Sequence, residues 1–180
     1  MAGGLARKAA YIDSLRREGR GVLILDSGNL FFEDPSAGTK SEDELALRAD
    51  LILNAHSHMG YHAVNIGDFD LALGTKFLLR RRPSAKFPFI SSNLTDLELG
   101  RPLFEPYAVK EVDGLRVGVF GLVSPELGQG KPFSVEEPFE AARTMVKRLK
   151  RRCNLIVALS LLHGNQEALR LAAEVPGIDV

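Results

Sequence analysis

Four apolar residues, Val22 to Leu25, run without interruption into Asp26, Ser27, Gly28 and Asn29. A short apolar run cut off by small and polar residues is the signature of a strand buried on both faces. In an open α/β sheet, ligands gather just outside the carboxyl ends of such strands. Asp26 to Asn29 is therefore the first place to look for chemistry, and the other segments are judged by whether they reach the same edge.

They alternate. Leu5 to Glu18 carries Leu5, Ala9, Ile12 and Leu15 on one side and closes at Gly19, a helix pattern. After the strand comes a polar loop, 33–40. Ser41 with Glu44 three residues on forms a capping box for a helix ending near Gly60. Ala63 to Ile66 is a second strand, followed by Gly67-Asp-Phe-Asp70, and a helix is expected from Leu71 to Arg81, stopped by Pro83. A strand from Phe87 runs into Ser91-Ser-Asn93. Tyr107 to Val112 and Leu115 to Leu122 flank Asp113-Gly114, a strong hairpin signal. Glu137 to Arg152 reads as a basic amphipathic helix, Asn154 to Leu159 as a buried strand entering Ser160 to Gly164, and Asn165 to Glu174 as the last helix. Strands alternating with helices, plus one antiparallel hairpin, predict one layered α/β domain over 1–180 with a mixed sheet. Its strand ends would carry Asp26 to Asn29, Gly67 to Asp70, Asn93, and Ser160 to His163.

Composition narrows the partners. Lys plus Arg equals Asp plus Glu at 23 each, so there is no global field to draw nucleic acid or an acidic membrane surface. No apolar stretch has the roughly 18 residues of a membrane span. The single cysteine, Cys153, excludes an internal disulfide and a cysteine-rich zinc site. Arg80-Arg81-Arg82 reads as a solvated helix end. So does the cluster of His56, His58 and His62, because His56 and His58 point to different helix faces. Phe31, Phe32 and Phe69 are read as core or lid packing, with base stacking as the alternative. No export signal is visible, and the chain stops at Gly177-Ile-Asp-Val180, an apolar strand start; both ends read as cut.

The order Gly3-Gly-Leu-Ala-Arg7, Leu25-Asp-Ser-Gly-Asn29, Gly60-Tyr61, Gly67-Asp-Phe-Asp70, Phe87-Pro, Ser92-Asn93, Val117-Gly-Val-Phe-Gly121 and Leu159-Ser160 resembles the 5'-nucleotidase family, in its N-terminal calcineurin-like metallophosphoesterase domain. The resemblance spans nearly the whole chain. It implies a layered α/β/β/α sandwich, incomplete here, with a dinuclear centre at the strand ends. There two divalent ions (Mn, Zn or Mg) would stabilise the attacking and leaving oxygens of a phosphate monoester, nucleotides above all. It also implies an exported or periplasmic protein.

The family's ligands come from an Asp-x-His segment, a Gly-Asp, a Gly-Asn-His-Glu, a Ser-His and a final Gly-His-x-His. The first would lie upstream of Gly3 and the last beyond Val180. The Gly-Asp reads Gly28-Asn29, and an amide lacks the charge that bridges two dications. The Gly-Asn-His-Glu segment aligns with Gly67-Asp68-Phe69-Asp70, so the catalytic imidazole becomes Phe69. The Ser-His aligns with Ser160-Leu161, with His163 two residues on.

By the resemblance, the remaining metal positions are Asn29, Asp68 and His163, and Asn93 is the substrate-binding position. Asn29 and Asp68 exchange the family's Asp and Asn, which leaves two readings: one retained ion, or a decayed site. Catalysis by this chain is not expected. The alternative is a non-catalytic domain that binds a nucleotide or phosphate, or supports its neighbours. Open sheet edges would invite pairing into a homodimer.

Overall fold

The computed structural model describes residues 4–32, 41–128 and 131–180, so the polar loop expected over 33–40 lies outside the described residues. Five α-helices and eight strands alternate among them. They are α1 (Leu5–Arg17), β1 (Leu25–Asp26), α2 (Glu42–Met59), β2 (Ala63–Asn65), α3 (Thr75–Arg81), β3 (Phe89–Ile90), β4 (Leu94–Asp96), β5 (Tyr107–Val112), β6 (Leu115–Val123), β7 (Phe133–Val135), α4 (Pro138–Leu149), β8 (Leu155–Leu161) and α5 (Gly164–Glu174). One sheet is parallel, in the order β1-β2-β3. A second, β5-β6-β8, is mixed: β5 runs antiparallel to β6, and β8 parallel to it.

Three apolar clusters make these sheets the middle of a sandwich. Ile12, Ala49, Leu53, Phe77 and Leu78 from α1 to α3 pack on Val64, Ile66 and Phe89 of the first sheet. Ala142, Met145, Val146, Leu149 and Leu171 from α4 and α5 pack on Phe120, Leu122 and Ile156 of the second. Ala63, Ile90, Val117, Val119, Val157 and Leu159 meet between the sheets. The layers are therefore α/β/β/α, as the resemblance implied.

A buried side-chain link crosses the sheet–sheet interface. The fully buried Asn65 amide donates to the Ser27 carbonyl and to the Leu122 carbonyl, each at 3.0 Å. Gly121 lies against that amide, so closely that a Cβ there would collide with Asn65 Oδ1. The link holds the end of β6 at a fixed height over the loop that follows β1.

Locally coded features form as read. Ser41 accepts from the Glu44 amide at 3.2 Å while the Glu44 side chain accepts from the Ser41 amide, and Gly60 ends α2 in the left-handed region. Asp113 and Gly114 both take positive φ, 50° and 76°, matching the right-handed strand twist that a two-residue hairpin needs. Asp179 and Val180 already bond the β8 backbone, through Asp179 N–H to the Ile156 carbonyl at 2.9 Å and Ala158 N–H to the Val180 carbonyl at 2.9 Å.

Other expectations are corrected. The opening strand is only Leu25–Asp26, and Val22, Leu23 and Leu25 are half-buried rather than sealed on both faces. The helix expected from Leu71 begins at Thr75, because Gly74 takes φ 80° and separates it from a 3-10 turn at Phe69–Leu71. Arg81 and Arg82 are not simply solvated. Arg81 stacks on Phe77 at 3.6 Å and bonds Asp50 through two nitrogens, and Arg82 pairs with Glu105. His56 is buried at 2% exposure, because α1 covers that face of α2. The small antiparallel pair β4–β7 had no sequence signal.

Candidate functional site

The loops after β1 and β2 are held together by one carboxylate. Asp70, fully buried, accepts from the Asn29 amide at 2.8 Å, the Phe31 amide at 2.8 Å and the Gly67 amide at 2.9 Å. Burial pushes its carboxyl up to about 6 against the pull of those three donors, and nearby Asp26 adds to the rise. Asn29 sits at φ 58°, a conformation asparagine tolerates better than most residues. Its Oδ1 accepts from the Phe69 amide at 2.9 Å. Gly67 must be glycine here, since a Cβ would meet Asn29 Oδ1 and the Leu161 side chain.

Above this clamp lies an open crevice of about 730 Å³ at the carboxyl ends of β1, β2, β6 and β8. Asn29, Asp68 and His163 all line it, so the structure gathers the three positions that the resemblance assigned to metal. Asp68 and His163 are exposed at the rim, and Asn29 is half-buried. The His163 backbone N–H donates to Glu167 at 2.8 Å, which fixes the turn into α5. Phe69 and Leu161, which the resemblance aligned with imidazoles, line the same crevice. Phe31 and Phe32 do not; they are core residues at 2% and 3% exposure, set edgewise or tilted against Phe89 and Phe77.

Asn93 has a different situation. It is fully buried beneath the crevice. Its amide nitrogen donates to the Val123 carbonyl at 2.8 Å and the Glu136 carbonyl at 3.1 Å, and its Oδ1 accepts from the Val123 amide at 3.1 Å. It is absent from the crevice lining, where the substrate-binding assignment would put it, because backbone partners already use its side chain.

Sequence reading missed the far wall, which comes from the segment after β6: Ser124, Glu126, Leu127 and Lys131. The Ser124 hydroxyl donates to Glu126, and that bond holds the Glu126 carboxyl below its ordinary value, with His163 adding a smaller electrostatic pull. The signal was available: Leu122-Val-Ser-Pro-Glu126 is another apolar strand running into polar residues. Among the described residues, no three His, Cys, Asp or Glu side chains stand close enough to share one metal ion.

Stacked sheets with helices outside and a strand-end crevice define a calcineurin-like phosphoesterase fold, and solved structures of that class match the chain throughout. The calcineurin-like phosphoesterase YfkN of Bacillus subtilis superposes with a TM-score of 0.79 over 98% of this chain and 62% of its own, at 22% identity. Within that class, the chain is similar to 5'-nucleotidases and their relatives. A 5'-nucleotidase precursor from Thermus thermophilus superposes with a TM-score of 0.76 at 32% identity, over 94% of this chain and 33% of that one. The 2',3'-cyclic-nucleotide 2'-phosphodiesterase/3'-nucleotidase of Yersinia enterocolitica is 28% identical over 202 aligned residues, 98% of this chain and 31% of that protein. The chain thus spans about a third of the length of the curated relatives it matches first. No protein-family model matches the sequence.

Proposed function

We propose that this chain is a phosphoester-hydrolase domain of 5'-nucleotidase type that has kept the crevice and lost the chemistry, so that it holds a nucleotide-like ligand without hydrolysing it. The observation behind this reading is the bond between Asn29 Oδ1 and the Phe69 amide. The side-chain oxygen at the position of the family's bridging carboxylate is taken by a backbone N–H of the neighbouring loop, and the position of the catalytic imidazole carries a phenyl ring. The first position holds a neutral amide whose oxygen is already bonded, and the second a hydrocarbon ring that can neither donate nor accept a proton.

The fit of these residues to the family's two divalent ions is poor for the same reason. Hard cations want several charged or strongly polar oxygens and imidazoles at once. Asp70 is fully buried, absent from the crevice lining and engaged with three backbone N–H groups, which leaves Asp68 as an exposed carboxylate at the rim. Leu161 offers no donor atom, and His163 stands exposed at the rim. No hydrolytic step is therefore routed through metal in this chain.

The test pairs elemental analysis with turnover of para-nitrophenyl phosphate in added Mn²⁺. The expected result is substoichiometric metal after dialysis and turnover equal to the buffer blank. Stoichiometric metal, together with turnover that EDTA abolishes, would overturn the proposal.

A further inference from the structure

The same crevice shows which half of a nucleotide it can hold. Its floor is apolar: Phe69, Leu71, Val123, Leu127, Leu161 and Leu162 are buried or half-buried. Its charges sit only at the exposed rim. Among the described lining residues, these are the Asp68 and Glu126 carboxylates against the single Lys131 ammonium, with His163 beside Glu126. Among the described residues no arginine lines it, so they offer no guanidinium for two-pronged hydrogen bonding to a phosphate.

Backbone donors are equally scarce. Successive N–H groups at strand ends can cradle an anion, but here they face inward. The Asn29, Phe31 and Gly67 amides donate to Asp70, the Gly28 amide donates to Asp26 at 3.1 Å, and the Phe69 amide donates to Asn29. The His163 amide is taken by Glu167. A phosphate dianion entering without metal would lose its hydration and, among the described lining residues, meet two carboxylates against one ammonium, with the Asn29 side-chain NH₂ as a neutral donor.

A flat neutral ring meets the opposite conditions. Phe69 and Leu161 replace donor groups with apolar surface where a ring can lie, and aromatic faces gain specific contact energy when stacked. Rim carboxylates accept hydrogen bonds from hydroxyl and amino groups but repel phosphate. A volume of about 730 Å³ is ample for one such molecule.

Resting on the non-hydrolytic reading above, we infer that this crevice selects a nucleoside over the corresponding nucleotide: the ring lies on the Phe69–Leu161 floor, and the rim excludes phosphate.

Calorimetric titration of the chain in EDTA with adenosine and, separately, with adenosine monophosphate tests this. Adenosine is expected to bind at least about tenfold tighter, the size of effect a few charges at short range produce at a protein surface. Phe69→Ala, at a half-buried position, is expected to weaken adenosine by about tenfold, as loss of a stacking face does. The double variant Asp68→Asn, Glu126→Gln is expected to narrow the adenosine preference, which a purely structural role for those residues would not do. Equal or tighter binding of the monophosphate in EDTA would overturn the inference, and so would no binding of adenosine. Both results are separate from EDTA-sensitive turnover, which would instead overturn the non-hydrolytic reading.

Discussion

Asp70→Ala is expected to remove roughly 3–5 kcal/mol of stability, the cost of leaving buried partners of a charged group unpaired. Three backbone N–H groups converge on this carboxylate from two loops that are 39 to 41 residues away in sequence or three residues away on the same turn. Two of the three, the Phe31 and Gly67 amides, make these bonds in fully buried surroundings and have no ready alternative partner. Asp70→Asn keeps one acceptor oxygen but points an NH₂ group at remaining donors, so about 1–3 kcal/mol is expected for it. Equilibrium urea unfolding measures both. If Asp70→Ala should prevent folding, Asp70→Asn still reports the clamp through a lower midpoint at unchanged slope. A loss below about 1 kcal/mol for both variants would mean the loops are held by packing alone.

Mild acid is expected to destabilise the fold through two histidines that must stay neutral. His56 Nδ1 lies 2.8 Å from the Ile52 carbonyl, so it carries the proton, and Nε2 faces the Lys8 ammonium at 3.4 Å as an acceptor. His62 Nδ1 accepts from the Ile24 amide at 3.0 Å. Burial holds both rings below their ordinary value of 6.5. Lys8 lowers His56 further, against the Ile52 bond and distant Asp26, and Lys110 and Arg16 add to the effect on His62. A folded-state value below the unfolded one means the unfolded chain binds more protons. Stability is then complete above about pH 6.5 and falls as pH drops from there toward the lowered folded values.

Asp70 works in the opposite sense. Its folded value of about 6 against 3.8 makes the folded state gain stability as pH falls through that window. The two effects separate by difference. In His56→Gln with His62→Asn, the Asp70 contribution persists and the histidine contribution is gone. Wild type is expected to lose more stability than the double variant between about pH 7 and pH 5.5, by about 0.5–1.5 kcal/mol for each hydrogen bond lost. Equal losses would show that neither ring has to stay neutral.

How legible this was depended on sequence distance. The capping box at Ser41 and Glu44 and the hairpin at Asp113-Gly114 are each complete within four residues, and both formed as read. A layered α/β domain was also legible in the alternation of strand and helix patterns, whereas the α/β/β/α order of its layers came from the resemblance. What failed needed a partner from elsewhere. His56 looks solvated on α2 alone and is covered by α1, 48 residues away at Lys8. β4 and β7 are three-residue strands that pair with each other, too short for any periodicity to show. Asn29, Asp68 and His163 were assigned by alignment to a pattern, and the structure brings all three to one crevice lining. Asn93, assigned by the same pattern, is buried and bonded to backbone groups, and the wall of Ser124, Glu126, Leu127 and Lys131 was missed because β6 was expected to end one residue early.

The Asp70 clamp also decides how the crevice wall comes apart. The Asn29, Phe31 and Gly67 protons lie on one carboxylate, and the Phe69 proton lies on Asn29, whose own amide is held by that carboxylate. Release of Asp70 frees three of these amides at once and unseats the residue that holds the fourth. The four belong to a single opening unit, and their exchange rates should converge on one value set by release of Asp70 rather than by each residue's own surroundings.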